Sequence, residues 1–173
     1  MERLHRKHST VMNADVAGYS RLMAQDEEGT LDALLECLDR IAELVDRFGG
    51  RVVDAPGDNM LAEFPCELDA LRCALEVQRD MLARRRTARR VKALLFRIGL
   101  HHGQLLEKGE RLYGDVVNLA ARLQSAARPG GIMMSDAVAR CAGSAADARP
   151  SDRGRQYFKN IPYAVQTYEL GPA

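Results

Sequence analysis

The 173-residue sequence has no tryptophan and no run approaching about 18 consecutive apolar residues. It also has no Cys-x-x-Cys pair, and its charges nearly cancel, 25 Lys+Arg against 24 Asp+Glu. Each absence excludes something. Without a long apolar run, no membrane span is expected. Cys37, Cys66, Cys73 and Cys141 have no histidine at zinc spacing, so they read as reduced core or helix residues. The start, Met1 to His8, is charged with no apolar stretch behind it, so no secretory signal is expected and the cytoplasm is the expected compartment. A formal net charge of +1 supplies no global field toward nucleic acid or an anionic membrane. Any phosphate-handling surface must therefore be local.

What is present reads as one soluble domain, with 46% hydrophobic and 28% charged residues. Ser9 to Val16 is β-prone and closes in Ala17-Gly18-Tyr19-Ser20, a turn into a helix. Leu31, Leu34, Leu35, Leu38, Ile41, Ala42 and Val45 follow helical spacing until Gly49-Gly50. Two short strands, 51–54 and 59–64, flank the turn Ala55-Pro56-Gly57-Asp58 as a hairpin. A helix follows Pro65, with Leu68, Leu71, Leu75 and Leu82 as its expected buried stripe. Five arginines between Arg84 and Arg90 lack interleaved aromatics and read as a solvated helix end rather than a nucleic-acid site.

Val91 to Leu100 reads as a strand that turns at His102-Gly103 and returns over 104–107. A helix over 115–127, a strand over 132–135 and a short helix come next. Residues 142–155 read as a mobile loop, and strands near 156–159 and 165–170 finish the chain. The order β-α-β-β-α-β-β-α-β-α-β-β predicts an α+β sheet with helices on one face.

Two aspartates stand in unusual places. Asp15 ends an apolar strand before a glycine-containing turn, and Asp58 lies at a hairpin tip. Each alone suits a turn residue bonding its own backbone. Together, at the ends of strands able to neighbour each other, they suit a hard cation whose shell phosphates complete. Gly18 would let backbone N–H groups approach those phosphates.

Four blocks carry a resemblance: 13–20 (NADVAGYS), 57–64 (GDNMLAEF), 97–103 (RIGLHHG) and 113–123 (YGDVVNLAARL). In sequence, order and separation they resemble class III nucleotide cyclases over about Ser9 to Leu170. The resemblance implies a ferredoxin-like (βαββαβ-based) α+β fold with a mixed, largely antiparallel sheet. Residues 1–8 would be an N-terminal extension, 9–170 the catalytic domain and 171–173 a tail. It implies conversion of a nucleoside triphosphate to a 3′,5′-cyclic nucleotide and pyrophosphate. Two Mg²⁺ or Mn²⁺ ions would be held by Asp15, Asp58 and the Val16 backbone. Asn118 would orient the ribose, Arg122 would meet the α-phosphate, and Gly18, Tyr19 and Lys159 would contact the substrate. Gln104 stands where some members carry an arginine. One subunit's carboxylates would face the other's Asn/Arg helix, implying a head-to-tail homodimer.

Adenylate cyclases place Lys and Asp or Thr at the two base-reading positions, where this sequence has Asp54 and Arg111. An acceptor and a donor in swapped places suit a ring N–H beside a carbonyl, the edge of uracil or guanine, and make ATP the poorest match. The small domain also resembles the pyrimidine cyclases of bacterial antiphage (Pycsar-type) defence, which implies UTP as substrate and cUMP as a signal to a separate effector protein. GTP and ATP follow as alternatives. Asp54 and Arg111 could instead pair with each other across the dimer interface. A degenerate cyclase homology module that only binds nucleotide is the competing class of function.

Overall fold

The computed structural model describes residues 1–87, 94–145 and 148–172. The elements run β1 (Leu4–Val16), α1 (Tyr19–Gln25), α2 (Glu27–Arg47), β2 (Arg51–Asp54), β3 (Met60–Phe64), α3 (Glu67–Thr87) and β4 (Phe96–Lys108). They continue β5 (Arg111–Tyr113), α4 (Asp115–Ala126), β6 (Ile132–Ser135), α5 (Asp136–Ala139), a 3₁₀ turn (Ala142–Ser144), β7 (Ser151–Gln156) and β8 (Val165–Leu170). The sheet order is β2-β3-β1-β4-β6-β8-β7, with β5 paired to β4. Among the described residues only β4 and β6 run parallel, so the sheet is mixed and largely antiparallel, as expected.

The alternation of β1 decides the layers. Met12, Ala14 and Val16 join Phe64, Phe96, Ile98 and Leu100 in the main core under α2 and α3. Val11 faces the other way, onto Leu105, Leu112, Val116 and Ala120. Helices therefore occupy both faces, not one, because α4 lies opposite α2 and α3. The N-terminal helix divides at Asp26, whose side chain accepts from Gly29 N at 3.0 Å and starts α2.

Several boundaries differ from the sequence reading. β1 begins at Leu4 rather than Ser9, and its first residues pair with Gln104–Lys108. β4 is unbroken, so there is no return at His102-Gly103; the chain turns back after Lys108 into β5. The last hairpin uses 151–156 rather than 156–159: polar β7 is an exposed edge strand, with a register shift at Gly154. On α3, Ala70, Leu71, Cys73, Ala74, Val77 and Met81 are buried, while Leu68 and Leu75 only pack partly against the core. Of the strand expected over 91–100, residues 91–93 lie outside the described residues, as do the arginines at 89 and 90, and the strand itself starts at Phe96; Arg84 to Arg86 are exposed. All four cysteines are free, Cys37 and Cys73 buried.

Candidate functional site

The close packing of α4 on β4 organises the site. β4 presents Gly99 and Gly103 to the helix, and a Cβ at Gly99 would run into the Ala120 carbonyl and the Gln124 backbone. A Cβ at Gly103 would sit 2.9 Å from Val116 Cγ2. Between them, on the same face of β4, His101 is partly buried, its Nδ1 in a 2.6 Å hydrogen bond with Ser135 Oγ. Burial first, and then the neighbouring His102, push its pKa from 6.5 down to about 4.

The unfolded chain therefore binds this proton more readily than the folded one. The contribution of neutral His101 to stability is complete above pH 6.5 and is lost, to the extent of about 3 kcal/mol, as pH drops through about 4. Urea unfolding across that window is expected to show a shallower pH slope for His101→Gln than for the parent chain.

The buried side of α4 is Val116, Leu119, Ala120, Leu123 and Gln124. Asn118 and Arg122, one turn apart, lie on its other side, the first exposed and the second partly so. Among the described residues neither side chain hydrogen-bonds either aspartate. The segment between β7 and β8 lies along this helix, because Phe158 and Ile161 pack with Leu119 and Leu123. Lys159, between those anchors, is exposed, and Asn160 has a left-handed φ of 66°. Burial, followed by the charge of Asp115, raises the Tyr163 phenol, which puts this segment beside the start of α4.

Asp15 and Asp58 come together through the β1–β3 pairing, which sets Ala14 opposite Met60. Asp58 Oδ2 accepts from Val16 N at 3.3 Å. Asn59 Nδ2 donates to Asn13 Oδ1 at 2.8 Å and fastens the hairpin to β1. Asp15 is held by Arg97, Nε to Oδ1 at 3.2 Å and Nη2 to Oδ2 at 3.1 Å, and by Gln124 Nε2 to Oδ1 at 2.5 Å. Burial raises the Asp15 carboxyl, Arg97 pulls it back, and Asp58 pushes it up again.

Two carboxylates close enough to repel form a donor set that fits a hard divalent cation. No cluster of three or more His, Cys, Asp or Glu able to hold a metal occurs among the described residues. Phosphate and water would have to supply the remaining ligands. Val16 is buried and offers only its backbone. Gly18 caps α1 at a left-handed φ of 68°, and Tyr19 packs partly on the core.

A third group lies in a cleft of about 870 Å³ between β2 and the β4–β5 hairpin. Asp54 and Arg111 both line it, with Val53, Leu61 and Leu112 as apolar wall. Asp54 Oδ1 accepts from Ala55 N at 2.9 Å. No ion pair joins Asp54 to Arg111 within the protomer, among the described residues. Gln104 is exposed on β4 opposite His8.

The residues singled out from sequence thus fall into three groups: Asp15, Val16 and Asp58, with Gly18 and Tyr19 following β1 at the start of α1; Asp54 and Arg111; Asn118, Arg122 and Lys159. Sequence reasoning assigned nothing to Arg97, Gln124 or His101. Arg97 and His101 lie in the block 97–103, and Gln124 follows Arg122 by two, so their neighbourhood was the available signal.

Residues 2–171 match the family model described as the adenylate and guanylate cyclase catalytic domain. A candidate adenylate cyclase of Rhizobium meliloti (strain 1021) is 34% identical over 172 residues, 99% of this chain and 29% of that one. An adenylate cyclase of Glutamicibacter nicotianae is 32% identical over 129 residues, 72% of this chain and 30% of that one. The chain thus spans under a third of the length of these two relatives. An adenylate/guanylate cyclase/hydrolase structure from Silicibacter pomeroyi superposes with a TM-score of 0.88 at 34% identity, covering 99% of this chain and 100% of that one.

Proposed function

The chain belongs to the adenylate and guanylate cyclase catalytic-domain family, and from that premise we propose that it converts a nucleoside triphosphate to a 3′,5′-cyclic nucleotide. The ribose 3′-oxygen attacks the α-phosphorus, the α–β bridging bond breaks, and pyrophosphate leaves with its electron pair. The observation that carries this reading is the Asp15–Asp58 pair beside the Val16 backbone. Two Mg²⁺ or Mn²⁺ ions bound there would acidify the 3′-hydroxyl and neutralise phosphate charge.

The remaining roles belong to the chain's own residues. Asn118 orients the ribose, and Arg122 meets charge developing on the α-phosphate. Lys159 and the backbone at Gly18 and Tyr19 hold the phosphates. Asn118 and Arg122 hydrogen-bond neither aspartate of their own protomer among the described residues, and we assign them to the site of a second copy in a head-to-tail homodimer. No helix among the described residues is long and apolar enough to cross a membrane. Independently of that, the cytoplasm is the proposed compartment of the reaction.

The base is read in the cleft holding Asp54 and Arg111. A carboxylate accepting a ring N–H and a guanidinium donating to the adjoining carbonyl match uracil or guanine. UTP comes first, on the resemblance to pyrimidine cyclases, with cUMP passed to a separate effector protein in an antiphage role; GTP shares the edge. The names of the two relatives favour ATP as the second reading.

Incubation with UTP, GTP, CTP and ATP in turn, with Mn²⁺, and identification of the product decides between them. Cyclic UMP or cyclic GMP is expected in excess of cyclic AMP. The double variant Asp54→Lys, Arg111→Asp is expected to shift preference toward ATP by about tenfold or more, since two charge-assisted hydrogen bonds change sign. Exclusive cyclic AMP formation by the parent chain overturns this reading of the pair. Tight nucleotide binding without pyrophosphate release would instead mark a binding module.

A further inference from the structure

Both oxygens of Asp15 are occupied from within the chain. Arg97 spans them with two nitrogens, at 3.2 and 3.1 Å, and Gln124 adds a third donor from α4. The three contacts do not have equal standing. Gln124 is buried and neutral, its backbone pressed against Gly99, so its amide is fixed relative to β4. Arg97 is more exposed, with 28% of its side chain in solvent, and its Nη1 already reaches the Ser125 carbonyl at 3.4 Å. That carbonyl belongs to the last turn of α4, where the helix dipole favours a cation.

We propose that Arg97 and Gln124 are the positioning pair of Asp15. Gln124 sets the orientation of the carboxylate, and Arg97 holds its charge in competition with a divalent ion. This rests on the metal reading given above. A guanidinium and a cation seek the same lone pairs, and their like charges repel at contact distance. Entry of the ion therefore requires Arg97 to loosen from at least one oxygen. The Ser125 carbonyl offers the guanidinium a place to go without crossing apolar surface. Gln124 carries no charge, so it stays bonded while the ion binds.

The two residues consequently act in opposite directions on ion affinity, which a merely structural role would not produce. Free Mn²⁺ measured by electron paramagnetic resonance, without nucleotide, reads that affinity directly. Arg97→Gln is expected to bind Mn²⁺ about tenfold more tightly than the parent chain, with Arg97→Lys between the two. Gln124→Leu is expected to bind several-fold more weakly, because a near-isosteric apolar group removes the donor that keeps Asp15 aimed once Arg97 loosens.

Thermal melting checks that each variant folds, and Arg97→Lys, which keeps the charge, carries the test if Arg97→Gln does not. Equal or weaker Mn²⁺ binding in the folded Arg97 variants overturns the proposal. Asp15→Asn separates this from failure of the metal reading. Undiminished Mn²⁺ binding in that variant removes the site itself, whereas its loss without tightening in the Arg97 variants removes only the positioning pair.

Discussion

Alanine at position 99 is expected to destabilise the protein by about 3 kcal/mol or more, near the upper end of the usual cost of overpacking a core. The atoms that meet the new methyl are the Ala120 carbonyl and the Gln124 amide and Cα, the last at 2.8 Å. Backbone cannot rotate aside as a side chain would, so either β4 or α4 must shift. For a chain of this size the change corresponds to a fall in melting temperature of roughly 6–12 °C. Gly143→Ala supplies the control, since nothing lies within 4 Å of a Cβ there. It should change stability by less than about 0.5 kcal/mol. The proposed cyclase turnover is expected to fall with Gly99→Ala even in the fraction that folds, because displacing α4 moves Gln124 away from Asp15. Equal melting temperatures for the two variants would contradict the packing argument.

Asp58→Asn is expected to act in the complementary way, removing turnover while leaving the fold intact. Its role in the fold is small: it accepts one hydrogen bond, from Val16 N at 3.3 Å, which an asparagine oxygen can also accept. Its role in the proposed site is large, because a two-carboxylate set that loses one charge loses much of its hold on a divalent ion. Metal assistance is worth several kcal/mol of barrier, so turnover should drop by about a thousandfold. Initial rates in Mn²⁺ and a thermal melt on the same preparation check both halves. Asp15→Asn should match it in turnover but lose stability as well, since it also disrupts the bidentate contact with Arg97. Undiminished turnover in either variant would end the two-carboxylate assignment.

Much of this arrangement was legible in the chain, and the exceptions have physical causes. The β-prone run 9–16, the helical spacing of α2 and the Pro-Gly turn between β2 and β3 are local signals, and elements formed there, although β1 starts earlier, at Leu4. β4 was misread because His102-Gly103 looks like a turn, whereas Gly103 is bare to receive Val116. β7 escaped because Ser-Asp-Arg-Gly-Arg-Gln, an exposed edge, has no apolar alternation to detect. On α3 only Leu71 of the expected leucine stripe is fully buried, because alanine and cysteine do much of the packing there. At the site, the nearness of Asp15 to Asp58 followed from neighbouring strand ends. The contacts of Asp15 with Arg97 and Gln124 span 82 and 109 residues and leave no periodicity in the sequence.

The hydrogen bond from Gln124 to Asp15 has a consequence for two molecules rather than one. In the head-to-tail pair proposed above, a single α4 would touch the carboxylates of its own protomer with one side and the substrate of its partner's site with the other. A shift of that helix on filling one site would be felt at the second, and linkage requires the influence to be equal in return. Gly99 and Gly103 remove the side chains that would cushion such a shift, so α4 would behave as a stiff rocker between two centres. Cooperativity between the halves would then be a mechanical property of one bare strand.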